Sequence, residues 1–228
     1  MADNVVRLLS TLALKGAVGR LAARYQAATG TRIDADFAPT LGLLKRLREG
    51  EAADVVILTR EGLDELVAEG SVTAASSVDL ARSYVGIAVK AGSHHPDIAT
   101  EAALRAALLA ARSVAYSRIG ASGIFFAQLI ERLGVAAEVN ARATVTSGFT
   151  AERLITGEAD LAVQQISELK QVDGIEVVGP VPLGLQTAAV FSAGPIAASP
   201  RAAEADRLLR FLTQPELAPV LRDCGLEP

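Results

Sequence analysis

Hydroxyl, amide and cationic groups gather in one short turn of this sequence, between an apolar strand and an apolar helix. The stretch Ser113–Gly134 reads as a buried strand, a turn containing Arg118, Ser122 and Gly123, and a helix over Ile124–Leu133. We expect the glycine-rich turn to leave backbone N–H groups unpaired at the helix N-terminus, where the helix dipole attracts negative charge. The turn therefore predicts an anion-binding site, although an ordinary capped helix start shows the same pattern.

Polar residues of the same kinds follow other predicted strands. The further candidates for ligand binding are Ser10, Thr11, Lys15, Thr40, Ser147, Gly148 and Gln165. A solvated helix residue is an equal alternative for Lys15, and an ordinary loop is an alternative for Ser147 and Gly148. Gln164 and Gln165 alternate in direction along one strand, so only one can face a ligand, and we prefer Gln165.

Hydrophobic periodicity alternates between strands and helices along the whole chain. Predicted strands are Val5–Leu9, Arg32–Phe37, Asp54–Thr59, Tyr84–Lys90, Ala143–Val145, Leu161–Gln165, Ile175–Val178 and Gln186–Phe191. Predicted helices are Leu12–Ala28, Leu41–Arg48, Glu61–Glu69, Thr100–Ala111, Ile124–Leu133, Ala151–Thr156, Ala202–Leu212 and Glu216–Asp223. This rhythm is typical of a mainly parallel α/β fold, in which ligands bind at the carboxyl ends of the strands.

We expect two α/β lobes with the polar turns facing a cleft between them. Lobe 1 is predicted to hold residues 1–82 and 191–228, and lobe 2 residues 83–190. No low-complexity or charged linker divides the chain, so we place the crossings on two extended segments, around Arg82–Ile87 and Gln186–Val190.

Composition excludes several classes of function. The 228 residues are 50% hydrophobic and carry a net charge of −4, which does not favour a nucleic-acid partner. The single cysteine, Cys224, cannot form an internal disulfide, and His94 and His95 stand side by side in a predicted surface turn. We therefore expect no metal and no cofactor.

The first residues show no basic segment followed by a long apolar run, and no window resembles a membrane span, so the protein is not expected to be membrane-embedded. Two locations stay open. The protein is cytoplasmic if Met1 is the native start, and periplasmic if a signal peptide preceded this sequence.

Four segments carry a resemblance to a known family. They are LSTLALKGAV, FAPTLGLLKRLREGEAADVVILT, GASGIFFAQLIERLG and GEADLAVQQISEL, and together they resemble the periplasmic molybdate-binding proteins of ABC transporters. The resemblance covers nearly the whole chain. It implies a two-lobed type II periplasmic-binding-protein fold with hinge strands, an oxyanion held by hydroxyls and helix N-termini, and an ABC transporter permease as partner if the protein is exported.

The sequence departs from that family at its ligand positions. Ala13 aligns with the ligand-binding serine of the family's first turn, and Gln165 aligns with the tyrosine that reaches the metalate. The family's second turn is rich in serine, and here it is reduced to Pro39 and Thr40. In exchange, Lys15 and Ser122 add a cation and a hydroxyl. Extended carboxylates need separated donor clusters and often a Lys or Arg, so we favour a di- or tricarboxylate over molybdate.

The chain also resembles aconitate isomerase, which belongs to a branch of the same fold. This resemblance lies in the QQISEL and GASG segments and in the missing molybdate ligands. This resemblance implies a cofactor-free isomerase of an unsaturated tricarboxylate as an alternative to a binding protein. Lys15 is then the candidate catalytic base, since we find no histidine or acidic residue in the strand-end turns. A cytoplasmic ligand sensor is the third alternative.

Overall fold

The structure is a computed structural model that describes residues 4–228. The chain forms two compact units, Met1–Arg82 with Ala189–Pro228, and Ser83–Ala188. We call them unit 1 and unit 2. The predicted lobe 1 begins at Met1, and its first three residues lie outside the described residues.

The strands are β1 (Val5–Ser10), β2 (Arg32–Phe37), β3 (Val55–Thr59), β4 (Val78–Ser83), β5 (Val85–Lys90), β6 (Val114–Tyr116), β7 (Ala143–Val145), β8 (Leu161–Gln165), β9 (Ile175–Pro180) and β10 (Ala189–Pro195). The helices are α1 (Lys15–Thr29), α2 (Thr40–Arg48), α3 (Arg60–Ala68), α4 (Glu101–Ala110), α5 (Ala121–Arg132), α6 (Ala136–Asn140), α7 (Glu152–Ile155), α8 (Ile166–Leu169), α9 (Ala202–Leu212) and α10 (Ala218–Asp223). None of the described helices is long and apolar enough to cross a membrane.

Unit 1 is built on a five-stranded sheet with the order β2-β1-β3-β10-β4. Strand β1 pairs in parallel with β2 and β3, and β10 pairs antiparallel with β3. All five residues of β3 are buried because helices cover both faces of the sheet. Residues of α1 and α9, such as Tyr25 and Leu208, pack on one face, and residues of α2 and α3, such as Leu43 and Leu66, pack on the other.

Unit 2 repeats this plan with the order β7-β6-β8-β5-β9. Strand β6 pairs in parallel with β7 and β8, and β5 pairs antiparallel with β8 and β9. Tyr116 and Phe126 stack edge-on in the core on one face, with ring centroids 5.2 Å apart. Leu154 and Leu169 belong to the smaller cluster that includes α7 and α8.

The predicted α/β class is confirmed, and both sheets are mixed. Each unit places three parallel strands side by side, so the turns that follow them share one edge of that unit's sheet. Three of the strands and helices given above were not predicted from the sequence. They are β4, in which Asp79 and Arg82 interrupt the apolar pattern, and the short helices α6 and α8.

Candidate functional site

The turn after β6 forms the first part of the candidate site in unit 2. The buried Ser117 hydroxyl accepts hydrogen bonds from the N–H groups of Ile119 and Gly120, each at 3.2 Å, and so fixes the turn before α5. Arg118 is exposed in this turn, whereas Ser122 is buried in the first turn of the helix. A guanidinium and a helix N-terminus therefore stand within a few residues of each other, which suits an anion.

Helix α5 begins at Ala121, three residues earlier than predicted. The N–H groups of Gly123 and Ile124 both donate to the Gly120 carbonyl at 3.0 Å, so the Gly123 N–H is already used within the helix. The N–H groups of Ala121 and Ser122 precede these first bonds and point out of the helix end. The sequence predicted a loop whose unpaired N–H groups extend to Gly123. This is corrected, because Gly123 already belongs to the helix and the N–H groups that precede its first bonds are those of Ala121 and Ser122.

Gly123 is needed for packing. A Cβ at this position would lie 1.5 Å from the Ser117 carbonyl oxygen, because the start of α5 rests directly on the end of β6. No larger residue fits without a backbone shift. The structure thus explains the glycine by close contact within unit 2, and a direct ligand contact of Gly123 stays a prediction.

The turn after β7 forms the second part of the site in unit 2. Ser147 is exposed and Gly148 half-buried, in a turn that ends at the fully buried Thr150. The Gln164 side chain holds this turn: its Oε1 accepts from the N–H of Thr150 at 2.8 Å and from its hydroxyl at 3.0 Å. Its Nε2 donates to the Gly148 carbonyl at 3.2 Å. Gln164 therefore binds the protein itself.

Gln165 is equally buried, and its amide also bonds to the protein. In the orientation that satisfies both of its polar atoms, the amide nitrogen donates to the carbonyls of Ser83 and Tyr84, at 3.1 and 3.2 Å. An anion would need these same amide N–H groups. The structure accordingly shows Gln165 bound to the first residues of unit 2, and its contact with a ligand stays a prediction.

Glu168 is a residue that sequence reasoning missed. It lies in α8, three residues beyond the end of β8, and only 9% of its surface is exposed. Burial raises the pKa of its carboxyl from 4.5 to about 8, although a hydrogen bond with the Gln164 side chain opposes part of that rise. No acidic residue was expected in the strand-end turns themselves, and Glu168 lies just beyond one of them, in α8 beside Gln164.

The turn after β1 is the corresponding region of unit 1. Ser10 and Thr11 are both buried, and the Thr11 N–H donates to the Ile57 carbonyl at 3.0 Å. Thr11 starts a 3₁₀ turn over Leu12–Leu14 but makes no side-chain capping bond there. Within residues 4–228 its buried Oγ1 has no hydrogen-bond partner. A buried hydroxyl without a partner is uncommon and indicates a place where a ligand or a water binds.

Other candidates of unit 1 lie close by on the same sheet edge. Lys15 is the first residue of α1 and is exposed. Thr40 is the first residue of α2, and its hydroxyl lies 3.5 Å from the N–H of Thr59, at the end of β3. Its methyl group lies 2.6 Å from where a Cβ of Gly62 would stand, so α2 and α3 begin in close contact. Their starts form a compact polar corner at the ends of β2 and β3.

Ala13, which aligns with the serine of the resembled family, is part of the core of unit 1, with 1% of its surface exposed. The hydroxyl of this turn is instead supplied two residues earlier, by Thr11. The departure seen in the sequence therefore moves a donor along the turn and does not remove it.

Arg60 is a second strand-end residue that was not singled out from the sequence. It follows β3 directly and forms ion pairs with Asp79 and, at 3.6 Å, with Asp64. Asp79 also accepts a hydrogen bond from the buried Ser192. The cation is thus engaged by carboxylates within unit 1, which makes it a weaker anion ligand than its position suggests.

His94 and His95 are exposed, which confirms the predicted surface turn. His95 Nε2 lies 2.7 Å from a carboxylate oxygen of Glu176. This contact, together with a bond from the Gly92 N–H, lowers the pKa of the Glu176 carboxyl. Among residues 4–228 no cluster of three or more His, Cys, Asp or Glu side chains is arranged to hold a metal ion.

A cavity of about 920 Å³ lies at the opposite edge of the unit 1 sheet from the polar turns. Its lining includes Arg7, Arg32 and Arg201. Arg32 pairs with Asp34 at 3.3 Å, and Arg201 donates to the Val5 carbonyl at 2.6 Å. With these two cations bonded to the protein and further acidic residues in the lining, the cavity is a poorer candidate for an anion than the strand-end turns.

Comparisons with known proteins identify the family of this chain. A family model described as bacterial extracellular solute-binding protein matches residues 6–227. An aconitate isomerase from a Pseudomonas species is 35% identical over 232 residues, covering 99% of this chain and 88% of that protein.

Solved structures show the same fold at low sequence identity. The periplasmic molybdate-binding protein of Azotobacter vinelandii superposes with a TM-score of 0.83 at 16% identity, covering 98% of this chain and 99% of that one. A sulfate-binding protein from Mycobacterium tuberculosis gives a TM-score of 0.78 at 14% identity, covering 99% and 87%. The type II periplasmic-binding-protein-like fold is thereby confirmed, and the family resemblance seen in the sequence with it.

Proposed function

Since this chain belongs to the family of bacterial extracellular solute-binding proteins, we propose that it binds a small organic anion with two or three carboxylates. The ligand groups are the hydroxyls and backbone N–H groups at the carboxyl ends of the strands. In unit 2 these donors are divided between the start of α5 and the turn after β7. Two donor groups on neighbouring strands suit two carboxylates of one molecule better than a single compact oxyanion.

The buried Thr11 hydroxyl is the observation that carries this proposal. Its Oγ1 has no partner within residues 4–228, and leaving a buried hydroxyl unpaired costs about 1–3 kcal/mol. An anion that accepts a hydrogen bond from this hydroxyl removes the cost when it binds. This hydrogen bond is then made only in the complex.

Two further observations support a carboxylate over molybdate. The Gln165 amide, at the position of the tyrosine that reaches the metalate in the resembled family, is bonded to main-chain carbonyls. Arg118 in unit 2 and Lys15 in unit 1 are exposed cations, each next to a polar turn of its own unit, and each can pair with a carboxylate held at that turn.

A thermal-shift screen tests this proposal with molybdate, sulfate, citrate and both isomers of aconitate. A ligand present at 100 times its Kd stabilises the protein by about 2.7 kcal/mol, which is readily seen as a rise in Tm. We expect the tricarboxylates to raise Tm more than the inorganic anions at equal concentration. A rise with molybdate or sulfate alone would refute the carboxylate assignment.

The full-length similarity to an aconitate isomerase favours a second candidate function, interconversion of the two geometric isomers of aconitate. In this reaction a base removes a proton from the CH₂ group, and the electron pair spreads over the allylic system onto the adjacent carboxylate. Return of a proton to the other end of the allylic system moves the double bond and gives the other isomer. The N–H groups at the start of α1, in the same unit as Lys15, would stabilise the charge that builds on the carboxylate.

Lys15 is the base that we propose for this second function, and its amine must be neutral to accept the proton. It is the first residue of α1 and lies four residues from the Thr11 hydroxyl along the chain. Proton NMR of trans-aconitate in D₂O tests the step, because a returning deuteron labels the product. Labelled cis-aconitate that disappears in Lys15→Met supports the assignment, and an unchanged spectrum with bound ligand leaves a binding protein.

We also propose that the protein acts outside the cytoplasm and delivers its ligand to an ABC transporter permease. The family description supports this location, as does the fold shared with periplasmic binding proteins. Fractionation of cells expressing the complete native reading frame tests it. Recovery in the periplasmic fraction is expected, and recovery only in the cytoplasm would favour the enzyme or a sensor.

A further inference from the structure

A single buried amide links the turn after β7 to the sheet of unit 2. Gln164 is 2% exposed, and its side chain makes three hydrogen bonds to Gly148 and Thr150, between 2.8 and 3.2 Å long. The bonds to the backbone use both polar ends of the amide. An apolar side chain of the same size could make none of them.

This amide determines which groups of the turn are free for a ligand. The Gly148 carbonyl and the Thr150 N–H both point to Gln164, so neither faces outward. Fixing the carbonyl is as useful as fixing the donors, because a carbonyl oxygen turned toward an anion would repel it. Gly148 has no neighbour within 4 Å of a Cβ position, so packing does not hold it in place.

Glu168 stands directly behind this amide. Its carboxyl hydrogen-bonds the Gln164 side chain, and within the described residues no Lys or Arg contributes to its titration. A buried carboxyl without a cation is costly for stability, and an apolar residue in the same place would avoid that cost. Residues that break a local stability rule in this way occur preferentially at functional sites.

We propose that Glu168 and Gln164 act together as a positioning pair that sets the conformation of the Gly148–Thr150 turn for one carboxylate of the ligand. The inference rests on the proposed function for the identity of the ligand. Neither residue of the pair contacts the ligand. Glu168 orients the Gln164 amide, and the amide orients the turn.

Four variants test the pair. In Gln164→Leu the bonds to the turn are lost, and in Glu168→Leu only the bond that orients the amide is lost. Glu168→Gln keeps the shape and a hydrogen-bonding group, and Glu131→Gln changes an exposed carboxyl of α5 as a control. Calorimetry measures the affinity for trans-aconitate, and hydrogen exchange by NMR measures protection of the Thr150 amide in the free protein.

We expect both Leu variants to weaken binding by about tenfold or more and to speed exchange at Thr150. Gln164→Leu loses the three hydrogen bonds to the turn, and Glu168→Leu releases the amide that makes them. The affinities of Glu168→Gln and Glu131→Gln should stay within about threefold of that of the wild type, because both variants keep the hydrogen bond to Gln164. If affinity is low in Glu168→Leu and normal in Glu168→Gln, residue 168 acts through its hydrogen bond to Gln164 and not only by filling space.

Unchanged affinity in Gln164→Leu, with the wild type binding normally, would overturn the inference. If the wild type binds no carboxylate, the proposed function fails, and the exchange data still decide the positioning. Unchanged exchange at Thr150 in both Leu variants would then overturn it. If Gln164→Leu does not fold, the comparison of Glu168→Leu with Glu168→Gln gives the same decision.

Discussion

Replacing Glu168 by glutamine is expected to make the protein more stable, and more so as the pH rises. Burial raises the pKa of the Glu168 carboxyl from its ordinary value of 4.5 to about 8. Between these two values the unfolded chain has released the proton while the folded protein keeps it. The folded pKa is the higher one, so the wild type has its full stability below pH 4.5 and loses stability as the pH rises to 8.

The size of the loss follows from the two pKa values. Each pH unit between them costs about 1.4 kcal/mol of unfolding free energy, so the wild type loses on the order of 5 kcal/mol by pH 8. At pH 7 the loss is about 3 kcal/mol by the same scale. Glutamine does not titrate, so Glu168→Gln avoids the loss while keeping a hydrogen-bonding group for Gln164.

Urea denaturation at pH 5, 7 and 8.5 measures the effect as the difference in unfolding free energy between the variant and the wild type. We expect a small difference at pH 5 that grows at each step. Glu131→Gln, at an exposed carboxyl of the same unit, should follow the wild type at all three pH values. If the unfolding free energies of Glu168→Gln and the wild type changed with pH in the same way, the argument that burial holds the proton on Glu168 would be refuted.

Two further substitutions test the turns themselves. Thr11→Val removes a hydroxyl that has no partner within residues 4–228, so thermal melts should show equal or higher stability. Calorimetry should show the affinity for the carboxylate lowered about tenfold. Retained affinity would exclude Thr11 as a ligand-binding residue. Gly123→Ala places a Cβ 1.5 Å from the Ser117 carbonyl oxygen and should destabilise by about 3 kcal/mol or more in urea denaturation. Gly19→Ala, at a helical position with open space, is its control and should stabilise by about 0.5–1 kcal/mol; equal behaviour of the two glycines would contradict the packing role of Gly123.

The sequence was informative where a local pattern determines the structure. The buried strand Val55–Thr59 reads as a continuous apolar run, and a helix follows it at once. Thr11 and Ser122 could be singled out because a hydroxyl between a strand end and a helix start lies where donors to a ligand are commonly found. Local chemistry of this kind predicts which residues lie at the carboxyl edge of a sheet.

The sequence was less informative where distant segments determine the role of a residue. Gln164 and Gln165 are adjacent and chemically identical, and only the contacts with Thr150 and with Ser83 distinguish them. Glu168 reads as one more acid on a short helix, and its burial depends on packing that no local pattern shows. The close contact between Gly123, in the first turn of α5, and the end of β6 is likewise not visible in a local pattern.

Calorimetric titration of the wild-type protein with trans-aconitate and, in a matched experiment, with molybdate tests the central claim most directly. We expect saturable one-to-one binding of the tricarboxylate and weaker or undetectable binding of molybdate. Submicromolar affinity for molybdate with no heat from the tricarboxylate would contradict the claim.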